Sequence, residues 1–138
     1  VVEETNEERR AEGLDPLEAA DLHKETARSH SADMAKNGYV GHVDSQGRSF
    51  EERVEPQGCS SVGENAAATF YEVPVRNART KETEMNTDSG DVADMLVDDW
   101  MASPAHRENL LGEYDSVSVG VYVSEGNVVF AAQVFCAG

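Results

Sequence analysis

Two of the four histidines in this 138-residue sequence lie where an imidazole has little structural use. His42 follows the glycine-containing segment 37–41, so its backbone is free to aim the ring into a cleft. His106 is the third residue of a predicted helix that Ser103 caps and Pro104 begins. The positive end of the helix dipole disfavours an imidazolium ion there, so we expect a neutral ring that can accept a proton or bind a cation.

Glu64 is a carboxylate between Gly63 and Asn65, followed by the small residues 66–68. A carboxylate is unusual in such a buried strand-like setting unless it faces a partner. Together with His42 and His106, it would form a ligand set for zinc or another divalent cation with an open position, or an acid–base set without a metal. The spacing alone equally allows two unrelated surface histidines and a solvated glutamate.

The other two histidines cannot form a metal site with each other. His23 and His30 are seven residues apart on a predicted helix, a rise of roughly 10 Å, which two metal–nitrogen bonds of about 2 Å cannot bridge. His30 lies on the apolar stripe of that helix and is expected to be a hydrogen-bonded core residue, whereas His23 is expected at the surface.

The elements that position these side chains follow from hydrophobic periodicity and capping signals. A long helix is predicted over 17–37, capped by Asp15 and started by Pro16. The segment 71–90 is polar and is predicted to be a long excursion from the core that opens with a hairpin around 71–76. The remaining predictions are helices over 2–12, 49–54 (before Pro56 and Gly58), 91–101 and 104–111, and strands over 117–123 and 128–136. Helices followed by an antiparallel hairpin predict an α+β or three-layer domain.

The composition excludes several classes of protein. The length fits one domain, and no apolar run approaches the roughly 18 residues of a membrane-spanning helix. A net charge of -16 would repel nucleic acid and anionic membranes. The sequence does not open with the basic and apolar segments of a signal peptide, so either it has none or this is the mature part of the protein.

The acidic residues are spread along the whole chain, and the basic residues comprise eight arginines but only three lysines. This pattern is typical of a halophilic, salt-adapted surface, because screening over about 3 Å at 1 M salt removes the self-repulsion. An ordinary acidic protein is the alternative. Stability that is equal in dilute buffer and in molar NaCl would contradict salt adaptation.

Cys59 and Cys136 are the only cysteines, an even number that permits one disulfide. The alternative is that one of them is a nucleophile served by His42 or His106. That role is disfavoured, because nothing nearby is basic enough to lower a thiol pKa. A serine nucleophile is disfavoured as well, because the chain has no Gly-x-Ser-x-Gly segment and Ser103 is explained as a helix cap.

Six short segments follow one another along the chain. They are Asn-Glu-Glu-Arg at 6–9 with Gly-Leu at 13–14, His-Ser-Ala-Asp-Met-Ala at 30–35, Gly-His at 41–42, Gly-Glu-Asn at 63–65, the run from Trp100 to Leu111, and Val-Gly-Val at 119–121. In this order they resemble the CAP superfamily of cysteine-rich secretory, antigen five and pathogenesis-related-one proteins. The likeness is to its short prokaryotic branch of SCP-like extracellular proteins.

The resemblance covers nearly the whole chain, so it implies that 1–138 is a single, usually secreted, CAP domain. The implied fold is a three-layer α-β-α sandwich around an antiparallel central sheet. The implied cleft contains His42, Glu64 and His106, and in many members the two histidines hold a divalent cation, often zinc. Larger members have a further glutamate where this chain has Ser103.

Three functions fit this resemblance. The first is a secreted module whose cleft binds a divalent cation or a small polar ligand, without catalysis as its main task. The second is a metal-dependent peptide or ester hydrolase, in which Glu64 is the general base. The third is a structural or adhesive envelope protein. Lipid or sterol binding, known for some relatives, would need an apolar groove that this acidic sequence does not indicate.

Overall fold

The computed structural model describes residues 1–54 and 58–138, so Pro56 lies outside the described residues. Helices and strands occur throughout both ranges. In chain order they are α1 (Val2–Ala11), β1 (Glu18–Ala19), α2 (Lys24–Asn37), α3 (Phe50–Arg53), β2 (Ser61–Phe70), β3 (Pro74–Arg76), β4 (Thr83–Met85), α4 (Ser89–Met101), α5 (Pro104–Leu110), β5 (Ser116–Ser124) and β6 (Val128–Ala137).

The main sheet has the strand order β1-β5-β6-β2, and its three long strands β5, β6 and β2 pair with one another in antiparallel fashion. The hairpin predicted over 117–136 is confirmed as β5 and β6. The two-residue strand β1 was not predicted, and it pairs in parallel with the start of β5. The sheet is therefore mixed, with an antiparallel core and a short parallel strand at one edge.

Helices cover both faces of this sheet, as a three-layer sandwich requires. The central strand β6 is buried along nearly its whole length, because successive side chains alternate between the two faces. Ala131 and Phe135 pack with Leu96 and Trp100 of α4, whereas Ala132 and Val134 pack with α2 and α3 through Ala27, Phe50 and Val54. This double burial explains the continuous apolar sequence of β6.

The predicted start of the long helix is wrong. Helix α2 begins at Lys24, and the preceding segment forms β1 and a turn. The Asn6 side chain binds both the N–H and the C=O of Leu17, and the N–H groups of Glu18 and Ala20 donate to carbonyls of β5 and its approach. These long-range bonds hold the chain extended in spite of the local capping signal of Asp15 and Pro16.

His23 is buried, so its predicted surface position is also wrong. It is 5% exposed, caps α2 and donates its backbone N–H to Ser118 Oγ. Its Nε2 lies 3.8 Å from Cys59 Sγ, and burial lowers the pKa of its ring. His30 is buried as predicted, and its Nε2–H donates to the Gly41 carbonyl at 2.6 Å.

The disulfide between Cys59 and Cys136 is present, with a Cα–Cα distance of 5.4 Å. It ties the segment before β2 to the end of β6. The excursion at 71–90 contains the small hairpin β3–β4, and Arg79 within it pairs with Glu8 of α1 and Asp98 of α4. Among the described residues, no helix is long and apolar enough to cross a membrane.

Candidate functional site

The structure brings His42, Glu64 and His106 together. The ring centroids of His42 and His106 lie 6.3 Å apart with a 48° tilt between the planes. Glu64 Oε1 lies 2.8 Å from His42 Nδ1. The side chain of His42 is 47% exposed and that of Glu64 only 1%, so the cluster runs from the interior to an open surface.

The alternation of side chains along β2 explains how these residues meet. Glu64 points into the α2–α3 layer, where it contacts His42, and Asn65 points into the α4–α5 layer, where its amide donates to the His106 carbonyl at 3.0 Å. Strand β2 is at the edge of the sheet. Two adjacent residues therefore hold one histidine from each helical layer at the same sheet edge.

Gly63 and Asn109 complete this edge. A Cβ at position 63 would lie 2.5 Å from the Tyr114 hydroxyl, so the residue before Glu64 has to be small. The Asn109 side chain donates to the Glu64 carbonyl and to Asn65 Oδ1, both at 3.1 Å. Each residue of the Gly-Glu-Asn segment thus has a separate positioning role.

Arg53 at the end of α3 holds the carboxylate of Glu64. Its Nη1 and Nη2 donate to the two carboxylate oxygens at 3.1 and 2.8 Å, and Nη2 also donates to the His42 carbonyl at 2.8 Å. Burial by itself raises the pKa of Glu64, but hydrogen bonds from His42 and Arg53 and the Arg53 charge outweigh burial, so the net pKa is lowered. Glu64 is therefore an ionised acceptor at neutral pH.

This acceptor fixes which nitrogen of His42 carries a proton. An ionised carboxylate only accepts hydrogen bonds, so His42 Nδ1–H donates to Glu64. In the neutral ring, Nε2 then keeps its lone pair. The exposed histidine consequently has one nitrogen oriented by the protein and the other available to a ligand.

His106 is half-buried, and burial lowers the pKa of its ring, with a further contribution from His42. The sequence predicted a neutral ring because of the helix dipole. The direction of the pKa shift agrees with this prediction, but its causes are burial and then His42. A neutral imidazole at pH 7 has a lone pair for a cation or a proton.

The loop that carries His42 is held by two residues of α2. Asp33 accepts hydrogen bonds from Tyr39 Oη and from Ser45 Oγ and N, and His30 binds the Gly41 carbonyl. Burial by itself raises the pKa of Asp33, but the bonds from Ser45 and Tyr39 outweigh burial and hold the pKa at about 2. The loop is thus fixed on both sides of His42.

The donor set fits a cation held by two imidazoles, but not a site with three or four protein ligands. Among residues 1–54 and 58–138, no group of three or more His, Cys, Asp or Glu side chains is arranged to hold a metal. Two histidines on one zinc ion need their nitrogens about 3.3 Å apart, at bond lengths of about 2.0–2.1 Å. The ring centroids, 6.3 Å apart, are farther from each other than this arrangement requires, so one ring would have to move toward the other to share an ion.

Two features of the structure were not found by the sequence-based reasoning. Arg53 belongs to no recognisable motif, because it lies 11 residues before Glu64 and in a different secondary-structure element. The apolar groove that the sequence did not indicate is also present, as a cavity of about 410 Å³ away from the two histidines. Its walls include Val92, Leu96, Val121, Val123 and Val129 of α4, β5 and β6.

Comparison with known proteins gives one family. Residues 2–136 match the family described as CAP, the cysteine-rich secretory protein family. The chain is 30% identical over 131 residues to the uncharacterized protein YkwD of Bacillus subtilis (strain 168), a match that covers 93% of this chain and 43% of that protein. The chain therefore spans less than half the length of this relative.

Solved structures share the same fold. An extracellular protein containing an SCP domain from Bacillus anthracis matches with a TM-score of 0.70 and 26% identity, over 97% of this chain and 38% of that chain. An outer surface protein from Borrelia burgdorferi matches with a TM-score of 0.73 and 19% identity, over 99% of this chain and 88% of that chain. The second likeness concerns the fold alone.

Proposed function

Because the chain belongs to the CAP family of cysteine-rich secretory proteins, we propose that it is an exported domain that binds a divalent cation through His42 and His106. The observation that carries this proposal is the meeting of the two rings beside Glu64, with one nitrogen of His42 held by that carboxylate. Zinc suits imidazole ligands, and the coordination positions left over would take water or oxygen atoms of a small polar ligand.

Charge supports a cation over an anion. The net charge of -16 creates a negative potential that concentrates cations near the surface. Arg53 contributes the positive charge beside the site, and that charge is buried against Glu64. The exposed side of the cluster is therefore formed by two imidazoles in an acidic protein, which favours a metal ion or a cationic ligand.

The contacts of Glu64 favour an orienting role over that of a hydrolytic base. Both of its oxygens accept bonds from Arg53, and one also accepts from His42. Its lowered pKa makes it a weaker base, and its 1% exposure separates it from solvent. A metal-assisted hydrolase with Glu64 as general base would first require release of the Arg53 contacts, so cation binding without turnover is the better supported function.

Export is the second part of the proposal. The Bacillus anthracis neighbour is titled an extracellular protein and the Borrelia burgdorferi neighbour an outer surface protein. The Cys59–Cys136 disulfide agrees with an oxidising compartment outside the cytosol. The acidic surface would suit such a protein in a saline medium, where salt screens its self-repulsion.

Calorimetric titration with ZnCl₂ tests the cation site. His42→Ala and His106→Ala are each expected to weaken binding at least tenfold, and the double variant is expected to abolish it, because each ring supplies one ligand. His23→Gln is the matched control, since it removes a histidine that contacts Ser118 and the disulfide instead of the cluster.

The pattern across these variants separates the candidate functions. An isotherm of the double variant equal to that of the wild type would refute the site. Wild-type protein that binds no zinc would favour the structural or adhesive role. Hydrolysis of a generic peptide or ester that Glu64→Gln abolishes, with zinc affinity retained, would instead assign the hydrolase.

A further inference from the structure

The geometry points to Arg53 as a positioning residue that orients His42 for ligand binding. It touches neither a reacting atom nor the exposed face of the site. It acts through Glu64 and through the backbone of His42, which it contacts at the same time. The consequence for cation affinity rests on the proposed function, whereas the consequence for the His42 ring does not.

The contacts of Arg53 form a closed hydrogen-bond network with Glu64 and His42. The guanidinium binds both oxygens of Glu64, Glu64 Oε1 binds the His42 ring, and the His42 carbonyl returns to Arg53 Nη2 at 2.8 Å. Both ends of His42, its ring and its carbonyl, are therefore fixed by the same pair of buried side chains. The side chains of Arg53 and Glu64 are 5% and 1% exposed, so solvent competes little for the bonds between these two.

The planar guanidinium group of arginine is needed for this hydrogen-bond network. Three donations to two residues require N–H groups that diverge in a fixed plane, which an ammonium group at the end of a flexible chain does not provide. The neighbouring carbonyl of Gly41 is held by His30, so the backbone on both sides of the His42 Cα is fixed from the α2–α3 layer. The bond from Nδ1 to Glu64 then sets the rotation of the ring.

Loss of Arg53 should release His42 without unfolding the sheet. Glu64 would keep one partner, the His42 ring, but its carboxylate would no longer be held in one plane or neutralised. The ring would then sample both neutral tautomers. In the tautomer that carries the proton on Nε2, this nitrogen has no lone pair for a ligand. Groups that orient a metal-binding histidine typically change affinity by about 10–100-fold when they are removed.

Long-range ¹H–¹⁵N NMR of the metal-free protein at neutral pH reads the tautomer of His42, and titration with ZnCl₂ reads affinity. In the wild type, we expect one tautomer with the proton on Nδ1. In Arg53→Met, we expect a mixture of tautomers and at least a tenfold weaker zinc affinity. Arg53→Lys, which keeps the charge but not the fork, should lie between the two.

Arg48→Met is the matched control. Arg48 is also an arginine beside α3 that donates to a carboxylate, that of Asp44, and it contacts neither Glu64 nor His42 in the described hydrogen bonds. The control should keep the wild-type tautomer and affinity. Equal changes in Arg48→Met and Arg53→Met would overturn the positioning role, because they would reflect the loss of any nearby positive charge.

A wild-type tautomer and affinity in Arg53→Met would likewise overturn the inference. Should that variant not fold, Arg53→Lys decides, and wild-type values in it have the same meaning. If the wild type binds no zinc but the tautomer of His42 shifts in Arg53→Met, the proposed function fails while the positioning role stands. If zinc binds and the tautomer does not respond, the positioning role fails alone.

Discussion

Gly120 sets the distance between α2 and the sheet, and replacing it with alanine should be strongly destabilising. A Cβ at this position would lie within 2.5 Å of Arg28 Cα and closer still to neighbouring backbone atoms of α2. Atoms in contact are about 3.5–4.0 Å apart, so the helix would have to retreat by roughly 1.5 Å. Helix backbone cannot rotate out of the way as a side chain can.

This retreat has two energetic components. Overpacking of a dense core costs about 1–3 kcal/mol. The hydrogen bond from Ser31 Oγ to the Gly120 carbonyl, now 2.9 Å, would lengthen beyond bonding distance at a buried position, which costs about 1 kcal/mol more. We therefore expect Gly120→Ala to lower the free energy of unfolding by about 2–4 kcal/mol.

Urea unfolding monitored by circular dichroism measures this change. Gly90→Ala is the control, because Gly90 is in the first turn of α4 and its added Cβ would meet only the Asp88 side chain, at 3.3 Å. The control is expected to change stability by less than about 0.5 kcal/mol. A loss below that value in Gly120→Ala as well would refute the close-approach argument.

Two further predictions concern the disulfide and the loop of His42. Replacing Cys59 and Cys136 by alanine opens a loop of 77 residues and is expected to lower the free energy of unfolding by about 4.5 kcal/mol in the chain-entropy model, and a loss below about 1 kcal/mol in urea unfolding would contradict it. The pKa of Asp33 falls from 3.8 to about 2 on folding, so its ionised form stabilises the protein above pH 4 and this contribution disappears as the pH falls through about 2. Solvent screening at this partly exposed position reduces the contribution to about 1 kcal/mol. Asp33→Asn should therefore be less stable than the wild type at pH 7 and indistinguishable from it near pH 2, and a gap that is the same at both pH values would contradict the pKa argument.

Local patterns predicted the parts of the fold in which sequence and packing agree. The alternation of valines in β5 and the apolar run of β6 gave the hairpin correctly, because one strand is half-exposed and the other is buried on both faces. The end of α2 at Asn37 was also predicted correctly, because Gly38 adopts the left-handed conformation that ends a helix.

Strand β2 was missed because its side chains are not those of a typical strand. Its centre contains Glu64, Asn65 and three alanines, which have low strand propensity. Antiparallel pairing with β6 over ten residue pairs and packing against helices on both faces override this preference. The start of α2 and the burial of His23 were mispredicted for the same reason, since both depend on partners in β5 or in the disulfide.

The candidate site was predicted as a set of residues but not as a mechanism. The sequence offered Glu64 as a possible metal ligand or base, because a carboxylate near two histidines suits either role. The ion pair between Glu64 and Arg53 could not be predicted, since this contact depends on where α3 ends relative to β2. In the structure Glu64 contacts His42 and Arg53, which supports the orienting role proposed above.

The pairing register of β2 determines this arrangement. A slip of one residue would turn Glu64 toward the α4–α5 layer and Asn65 toward the α2–α3 layer, because alternate residues face opposite sides of the sheet. The disulfide restricts such a slip, since it joins Cys59, before β2, to Cys136, whose strand partner is Val62. Gly63 adds a second restriction, because its place against the Tyr114 hydroxyl would not accept the side chain of Glu64. The covalent link and the small residue thus hold the two histidine-binding side chains on their separate faces.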